Sequence, residues 1–512
     1  MKEFFEKHKI KIGIICASFV IALGGFFALP NDYKVFAKTD SFEIELGSQI
    51  DNDITTYIWG MEDAVSEAQL DISNVDIFTA GEYEVYVNIG NRTIPYDIKV
   101  IDTVAPNLSI NEEVKYVAIE REYDAYKFVS EVTDLSNTSE VYFKVNDILQ
   151  STISFDTIGE HNITLVATDI SGNETEQSTT INAEVPPRFM GLADTTIPVG
   201  ADFNYSQSFV IFDETDGFIT NTVTINDENV DFSKEGTYEI TYSVVNSKGV
   251  DNSKTIYITT SPNASSDYKY TTNLSSDDWD ILINNGYFKY ELLEETNTDK
   301  DRVVELVKPI SINLTKIYSP KQKGSGSAFI YKIENDYIYV LSVEHVLDGM
   351  NENIELTFFD DVSIHTNLEY AHLGSHSELT LFRIKTNEIP KDTLFALKEA
   401  YIDTEYYNSI EVGTPLLEFI ENYGFYPDFR RVLKTVSLIN VNEPNHPDMN
   451  FSYPALATTR NAFSGMSGGP LIDYQGRVLG AASYISRLNG KDYFMKLDTL
   501  DELIEKFNEK YN

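Results

Sequence analysis

The sequence predicts an all-β protein of several domains, which are preceded by one apolar N-terminal helix. The chain has 512 residues, which at roughly 150 residues per domain suggests three or four domains. Hydrophobic residues make up 42% of the chain, enough to bury several cores. Its 32 Tyr and 30 Phe residues favour strands, and alternating strand patterns recur at a fixed spacing in the first half.

The charge balance and the single cysteine exclude several classes of function. Asp and Glu outnumber Lys and Arg by 81 to 39, a formal net charge of −42. Such a charge repels phosphate backbones, so nucleic acid is not an expected partner. Cys16 lies in the N-terminal apolar run, so the rest of the chain has no thiol nucleophile, disulfide or Cys-ligated zinc. We predict no cofactor and no metal site, since no Asp-x-Asp-x-Asp-Gly loop is present.

The N-terminal segment predicts export. Residues 12–29 are an unbroken apolar run, preceded by four lysines, Lys2, Lys7, Lys9 and Lys11. A helix of this length covers ~27 Å, close to the hydrocarbon thickness of a bilayer, and the lysines predict a cytoplasmic N-terminus. We therefore expect a single-pass protein of the cell membrane with an extracellular C-terminal part. Alternatively, Val-Phe-Ala at 35–37 is a signal-peptide cleavage site and the protein is secreted.

The region after this segment contains a repeat with a period of 77 residues. Phe78, Phe155 and Phe232 are each followed within four residues by a glycine that begins an alternating strand, and a turn and a returning strand come next. This pattern is typical of a half-buried antiparallel hairpin at the end of a small sandwich. We predict an N-terminal segment, three sandwiches, a linker and a C-terminal domain, at residues 1–37, 38–103, 104–184, 185–260, 261–300 and 301–512.

The three sandwiches resemble bacterial immunoglobulin-like domains. The resemblance rests on Asp102-Thr103-Val104-Ala105-Pro106 at a junction between units and on the Thr-Asp-Ile-Ser-Gly-Asn sequence at 168–173. It implies either a spacer that holds the C-terminal domain away from the cell, or a module that binds a surface ligand.

Two motifs in the C-terminal domain point to nucleophilic catalysis. His345 ends a hydrophobic strand that follows the Gly-Ser-Gly-Ser-Ala-Phe-Ile sequence at 324–330, and residues 465–470 read Gly-Met-Ser-Gly-Gly-Pro around Ser467. A serine hydroxyl is a weak nucleophile until a base takes its proton, so Ser467 needs a nearby neutral imidazole. The glycines beside it let successive N–H groups face one cavity, where they can bind an oxyanion.

The order of these residues along the chain separates two classes of hydrolase. Gly465-x-Ser467-x-Gly469 also fits the nucleophile elbow of α/β-hydrolases, which requires a histidine after the serine. The last histidine is His446, before Ser467, and the order His, acid, Ser is the chymotrypsin-like one. The domain thus resembles a trypsin-like serine peptidase of the bacterial HtrA-like and glutamyl-endopeptidase kind.

This resemblance implies a fold and an activity. The fold is a pair of β-barrels, and the helical spacing of apolar residues over 497–511 adds a C-terminal helix, which we expect on the second barrel. The activity is hydrolysis of a protein or peptide substrate by a serine endopeptidase.

The resemblance also assigns catalytic roles. It places a triad on His345, Glu378 and Ser467, with Glu378 where the family usually has Asp. Asp360 and Asp361 are alternatives that require a shifted alignment. The N–H groups of Gly465 and Ser467 are the expected oxyanion donors.

The substrate pocket is expected on four further residues. Asn461 lies near its base, and the strand Ser483, Tyr484 and Ile485 forms its wall. No acid is found at that base in the sequence pattern, and Ile485 stands where glycine is usual, so a small or medium P1 side chain is expected. The competing hypothesis is a binding protein whose sandwiches adhere to a surface ligand and whose peptidase-like domain has no turnover.

Overall fold

The structure is a computed structural model that describes most of the chain. The described residues are 30–39, 41–136, 139–203, 205, 209–265, 274–319, 322–348, 354–374, 377–420, 432–443, 455–459, 465–485 and 490–511. The apolar run at 12–29 lies outside them, and within the described ranges no helix has both the length and the apolar character needed to span a membrane. The described chain is mainly β, as predicted, and divides into two compact units, Met1–Val185 and Pro186–Asn512.

The first unit begins with a sandwich whose core lies between residues 35 and 100. Its main sheet has the order β2-β6-β5-β4, and β1 pairs with β3. The elements are a 3₁₀ turn, two short helices and six strands: Asn31–Tyr33; α1 (Ile54–Tyr57) and α2 (Glu62–Ser66); β1 (Val35–Ala37), β2 (Ser41–Glu45), β3 (Ile58–Gly60), β4 (Gln69–Asp71), β5 (Gly81–Ile89) and β6 (Arg92–Ile101).

This sandwich begins earlier than the predicted boundary at 37/38. Val35 is fully buried in its core, and the Arg92 guanidinium donates hydrogen bonds to the carbonyl oxygens of Asp32 (3.1 Å) and Val35 (3.0 Å). Because Val-Phe-Ala at 35–37 is the first core strand, the boundary we drew from the export signal cuts through the domain.

The second sandwich of this unit has its core between residues 108 and 183. A five-stranded sheet of order β12-β11-β14-β15-β8 faces the pairs β10-β7 and β13-β9. Its elements are β7 (Asn107–Ile110), β8 (Tyr116–Ala118), β9 (Glu122–Asp124), a 3₁₀ turn (Ala125–Phe128), β10 (Val129–Thr133), β11 (Ser139–Val145), β12 (Ile148–Gln150), β13 (Thr152–Ser154), β14 (Gly159–Asp169) and β15 (Glu174–Glu184).

The second unit opens with a third sandwich, whose own core lies between residues 189 and 258. Its sheets have the orders β16-β18-β19 and β17-β22-β21-β20. The elements are β16 (Arg188–Met190), β17 (Thr195–Pro198), β18 (Val210–Asp213), β19 (Gly217–Phe218), a 3₁₀ turn (Thr220–Thr222), β20 (Thr224–Asn226), β21 (Gly236–Val245) and β22 (Asp251–Ser261).

The third sandwich shares a core with the domain that follows it. Met190, Val210 and Phe212 pack in one cluster with Trp279 and Phe288. The four residues of β18 are all buried. A strand that is covered on both faces does not alternate between buried and exposed residues, so this pattern agrees with a core on each side of β18. The contact area is apolar, so the sandwich and the C-terminal domain are fixed to each other rather than joined by a free linker.

Polar contacts reinforce this junction. The Arg188 Nε lies 2.7 Å from Oδ1 of Asp278, and Asp278 also completes a capping box with Ser275 at the start of the next helix. The ammonium of Lys391 donates to the carbonyl oxygen of Gly191 (2.7 Å) from a buried position. Burial lowers the pKa of Lys391.

The C-terminal domain contains two seven-stranded sheets. The first has the order β27-β26-β23-β24-β25-β29-β28. It is built from α3 (Ser276–Asn284), α4 (Lys300–Val307), a 3₁₀ turn (Lys308–Ile310), β23 (Ser311–Ser319), β24 (Gln322–Ile333), β25 (Tyr337–Val343), α5 (Glu344–Leu347), β26 (Ile354–Phe358), β27 (Ser363–Thr366), β28 (Glu369–His372), β29 (Leu379–Lys385), a 3₁₀ turn (Thr386–Glu388) and α6 (Lys391–Ala396).

The second sheet has the order β30-β35-β34-β31-β32-β33-β36, and β36 also pairs with β35, which closes a barrel. Its elements are β30 (Tyr401–Ile402), a 3₁₀ turn (Glu405–Asn408), β31 (Pro415–Ile420), β32 (Val432–Glu443), β33 (Ala455–Thr459), β34 (Pro470–Ile472), β35 (Arg477–Ile485), β36 (Lys491–Lys496) and the C-terminal helix α7 (Leu500–Tyr511).

The C-terminal helix packs on the first sheet, so the expected packing on the second barrel is wrong. Phe507 contacts the ring of Tyr339 with centroids 6.0 Å apart, and the Tyr511 hydroxyl donates to the carbonyl oxygen of Tyr370 (3.0 Å). The Arg383 guanidinium lies over the rings of Tyr337, Phe507 and Tyr511. Aromatic rings attract a cation placed over their faces. The apolar spacing of the helix alone could not indicate this packing on the first sheet.

Candidate active site

Strand pairing brings the predicted base and acid together. β25 and β29 are antiparallel, with Val343 opposite Leu379, so the residue after one strand meets the residue before the other. The Glu344 N–H donates to the carbonyl oxygen of Glu378 (2.7 Å). His345 therefore lies beside Glu378, although they are far apart in the sequence.

The side chains of this pair are in contact. The Nδ1 of His345 is 3.4 Å from Oε2 of Glu378, and the imidazole is 43% exposed whereas the carboxylate is 5% exposed. The Ser483 hydroxyl donates to the same Oε2 atom. A buried carboxylate that accepts hydrogen bonds stays in place and can orient an imidazole that is open to solvent on its other side.

The alternative acids have other partners. The Asp360 Oδ2 accepts a hydrogen bond from Thr393 (2.7 Å), and its Oδ1 accepts one from the N–H of Val362 (3.2 Å). Asp361 occupies the turn between β26 and β27 with a φ of 69°. Of the three candidate acids, Glu378 is the one in contact with His345.

The acid next to His345 in the chain, Glu344, pairs with a second histidine. The Glu344 Oε1 is 3.1 Å from Nδ1 of His372, and both side chains are about one-third exposed, at 33% and 38%. Glu344, the neighbour of His345 in the chain, thus pairs with His372.

The Ser467 loop is attached to the first sheet by hydrogen bonds. The Ser327 N–H donates to the carbonyl oxygen of Ser467 (2.8 Å), and the Ser327 hydroxyl donates to that of Gly465 (3.0 Å). On its other side the loop is attached to β35, because the Gly468 N–H donates to the carbonyl oxygen of Ala482 (2.7 Å). Ser327 thus holds the Ser467 loop, and the sequence analysis did not single it out.

Gly468 is required by this close approach. Its φ is 88°, and a Cβ there would overlap the carbonyl oxygen of Ser327 and the hydroxyl of Ser342. The same Ser342 hydroxyl donates to the Ser327 carbonyl oxygen (2.9 Å). Glycine is the residue that can adopt this φ and leave room for both oxygens.

The Ser467 loop and the short helix that carries His345 both pack on β24. Val346, the neighbour of His345, packs so closely on Gly326 that a Cβ at Gly326 would overlap its side chain, and Ser327 comes next in the chain. Among the residues that the structure describes, the Ser467 hydroxyl has no hydrogen-bond partner, so it does not donate to His345 in this conformation. Catalytic hydrogen bonds often tighten only when substrate binds.

The two residues expected to supply the oxyanion donors are among the described residues. Gly465 has a φ of 99°, and in the described part of the chain no group accepts a hydrogen bond from the N–H of Gly465 or of Ser467.

The predicted pocket residues are only partly described. Asn461 lies outside the described residues, and Tyr484 and Ile485 are described as backbone of β35. Ser483 is buried, and its hydroxyl binds Glu378. It thus holds the acid, a role that we did not predict.

One group of carboxylates elsewhere could hold a metal ion. The side-chain oxygens of Asp102, Asp134 and Asp169 lie within 4.8 Å of one another. Among the described residues, this is the group of carboxylates with such a spacing. Burial and the charges of Asp169 and Asp134 raise the pKa of Asp102. An Asp-x-Asp-x-Asp-Gly motif does not reveal this group, because its three residues lie far apart in the sequence.

Comparisons with known proteins give a family match for one domain. Residues 187–259 match the family described as bacterial surface protein, Ig-like domain. This range is the third sandwich. No curated protein is significantly similar in sequence.

Several solved structures, proteases among them, are similar to this chain at low sequence identity. A mutant, inactive form of Rv3671c from M. tuberculosis H37Rv is 14% identical over 43% of this chain and 98% of its own, with a TM-score of 0.32. The HtrA-type protease AlgW with tripeptide is 18% identical over 41% and 64%, with a TM-score of 0.34. The serine endoprotease from Yersinia pestis is 16% identical over 42% and 68%, with a TM-score of 0.32. These likenesses are distant, so the function of this chain has to be inferred from its own side chains.

Proposed function

We propose that the C-terminal domain is a serine endopeptidase that hydrolyses peptide bonds through an acyl-enzyme. The observation that carries the proposal is the 3.4 Å contact between the exposed imidazole of His345 and the buried carboxylate of Glu378. It occurs beside a glycine-rich loop whose serine is attached to the same sheet through Ser327.

The first step is attack by Ser467 on the substrate carbonyl carbon. The Nε2 of His345 takes the hydroxyl proton as the new C–O bond forms, and Glu378 stabilises the resulting imidazolium through Nδ1–H. His345 then gives the proton to the leaving amine, and the C–N bond breaks. In the second half-reaction, His345 takes a proton from water as the water attacks the carbonyl carbon of the acyl-enzyme. His345 then returns this proton to the Ser467 oxygen as the acyl C–O bond breaks.

The developing oxyanion is bound by backbone donors. The N–H groups of Gly465 and Ser467 have no acceptor in the described residues, and each donor of this kind typically contributes about 10²–10³ in rate. Glu378 is one methylene longer than Asp, and the hydroxyl of Ser483 on its Oε2 compensates by fixing the carboxylate.

The proposed location is the outer face of the cell membrane. The apolar run at 12–29 would anchor the chain, and the two N-terminal sandwiches would act as a spacer or bind a surface ligand. Cleavage after residue 37 would remove β1, whose Val35 is buried in the first core, so we favour retention of the anchor. Mass spectrometry of the mature protein tests this, and a mature N-terminus at residue 38 would contradict it.

The competing function is a binding protein without turnover. It is favoured by the Ser467 hydroxyl, which does not donate to His345 in this conformation. Both functions predict a folded domain, so only chemistry separates them.

The test is hydrolysis of an unstructured protein substrate by the exported portion of the chain. We expect cleavage by the wild type and by E378D, and a loss of about 10⁴-fold or more in kcat for S467A and E378A. His365, which is exposed on β27, gives the matched control, and H365A should cleave normally. If a folded wild type cleaved no substrate, this result would support the binding protein.

A further inference from the structure

Two aromatic rings stack on the outside of the first sandwich. Phe36 on β1 lies directly opposite Trp59 on β3, and the ring centroids are 4.9 Å apart with 29° between the ring planes. Phe36 is 39% exposed and Trp59 is 57% exposed, whereas the neighbouring Val35 and Ile58 are buried in the core. The outer face of the β1–β3 sheet therefore presents two large aromatic rings to its surroundings.

Two lysines flank this aromatic pair in the chain. Lys34 and Lys38 lie two residues before and two residues after Phe36, and no acid lies between them. The Lys34 ammonium donates to Oδ1 of Asn31 (3.3 Å), and the Lys38 ammonium donates to the carbonyl oxygen of Thr55, so both acceptors are uncharged. Neither lysine forms an ion pair with an acid that the structure describes. In a chain with 81 acidic and 39 basic residues, this strand is a local site of positive charge.

The aromatic pair lies close to the end of the predicted membrane segment. Pro30, the first described residue, directly follows the apolar run at 12–29. The path from Pro30 to Phe36 is shorter than about 20 Å, because the 3₁₀ turn within it rises only ~2 Å per residue. Arg92 fixes this path to the sandwich through hydrogen bonds to two of its carbonyl oxygens, at 3.1 and 3.0 Å. The sandwich is thus tied to the chain within a few residues of the apolar run.

The size and composition of the outer face fit a lipid surface. Tyr33 is a third exposed ring, at 57%, and at about 200 Å² per aromatic side chain the three rings expose roughly 300 Å² in total. A stable protein–protein interface buries about 800 Å² on each partner. Trp and Tyr rings are enriched at the headgroup level of membranes, and lysines beside them are attracted to anionic headgroups. A bilayer therefore fits this face better than a second copy of the chain or another protein.

We propose that the outer face of the β1–β3 sheet rests on the lipid headgroups of the outer leaflet. The rings of Phe36 and Trp59 lie at the headgroup level, and Lys34 and Lys38 bind anionic phosphates. This inference rests on the proposed membrane anchor and not on the peptidase chemistry. It makes the first sandwich a membrane contact, which holds the base of the extracellular part against the bilayer.

The test is quenching of Trp59 fluorescence by brominated lipids. The full chain is reconstituted into vesicles of phosphatidylcholine and phosphatidylglycerol whose acyl chains carry bromine close to the headgroup. Because Trp279 is the second tryptophan, the Trp59 signal is the difference between the wild type and W59F. We expect about half of this signal to be quenched, as for a ring at the headgroup level.

The matched control places a tryptophan at the other end of the same sandwich. Phe78 is 60% exposed, and like Leu135 of the second sandwich its side chain lies beside Gly47. The added fluorescence of F78W in the W59F background should not be quenched by the brominated lipids.

Flotation of the vesicles through a density gradient separates two kinds of failure. A wild type that does not float with the vesicles would overturn the proposed anchor and, with it, this contact. A wild type that floats but whose Trp59 is quenched no more than the F78W control would overturn the contact and leave the anchor intact. Shielding of Trp59 by a second copy of the chain would give this second result.

A change of lipid charge tests the two lysines. We expect Trp59 quenching in the wild type to rise about twofold when phosphatidylglycerol is added to vesicles of phosphatidylcholine, and K34Q/K38Q to show no rise. The matched control is K99Q, because Lys99 lies in the same sandwich and pairs with Glu43 (3.6 Å). K99Q should respond to the lipid as the wild type does. An equal rise in K34Q/K38Q and the wild type would overturn the proposed binding of headgroups by these lysines.

Discussion

Replacing Phe212 with alanine should destabilise the peptidase domain, although Phe212 belongs to the third sandwich. Its ring is 6% exposed and packs in the cluster that contains Trp279 and Phe288. Beside it, Phe218 contacts Tyr287 with ring centroids 4.8 Å apart. Removal of Phe212 therefore opens a cavity at the junction rather than inside the sandwich.

The size of the effect follows from burial. Truncation of a buried Phe to Ala typically costs 3–5 kcal/mol in free energy of unfolding. With a denaturant slope of about 3 kcal/mol per molar urea for a domain of this size, the midpoint of unfolding should fall by about 1 to 2 M.

The chain offers a specific probe for this experiment. It has two tryptophans, Trp59 and Trp279, and Trp59 is 57% exposed in the first sandwich, so a W59F background leaves Trp279 to report on the junction. The matched control is F189A, since Phe189 is 8% exposed on the neighbouring strand but packs in the sandwich core. F212A should shift the Trp279 midpoint by more than F189A. An unchanged Trp279 midpoint in F212A would refute the shared core.

Three further predictions concern single contacts. G468A should lose at least about 100-fold in kcat/KM, because a Cβ would overlap the carbonyl oxygen of Ser327 and displace the nucleophile loop. S483A should lower kcat about tenfold with KM unchanged, because Glu378 loses a hydrogen-bond donor. Steady-state kinetics measure the effects of both G468A and S483A. D102N should raise the melting temperature of the first unit in EDTA, because it removes one of three clustered carboxylates; calorimetry measures this.

Controls and contradicting outcomes differ among these variants. Gly490 has a φ of 72° and open space around it, so G490A should cost only about 1 kcal/mol and keep activity. Full activity of G468A or of S483A would contradict the contacts on which each prediction depends.

The D102N effect has a defined pH dependence. The pKa of Asp102 is raised in the folded chain, so the folded state holds this proton more tightly than the unfolded state. That stabilisation is present below pH 3.8, the ordinary value, and is lost as pH rises through the folded pKa. The gain from D102N should therefore appear near neutral pH and vanish in acid, and a gain independent of pH would contradict this reasoning.

Much of the fold could be predicted from the sequence because the signals are local. The alternating strand after Gly81 has Val85, Val87 and Ile89 buried, as a period of two requires. His345 at the end of a hydrophobic strand indicated the base. The resemblance of residues 377–384 to the acid-bearing strand end of the family pointed to Glu378, which contacts His345 in the structure.

What could not be predicted depends on strand register and on packing between distant segments. Ser327 gave no signal of its own, since its role comes from a loop that is far away in the sequence. The junction did leave a signal, because Phe-Val-Ile-Phe at 209–212 has no alternation, as expected for a strand covered on both faces.

The central claim is that His345, held by Glu378, makes Ser467 reactive. The most direct measurement is the intact mass of the exported portion after reaction with a fluorophosphonate, followed by mapping of the modified peptide. We predict one phosphonyl group per chain, on Ser467, with no modification of H345A under the same conditions. An unmodified wild type, or equal modification of H345A, would contradict the claim.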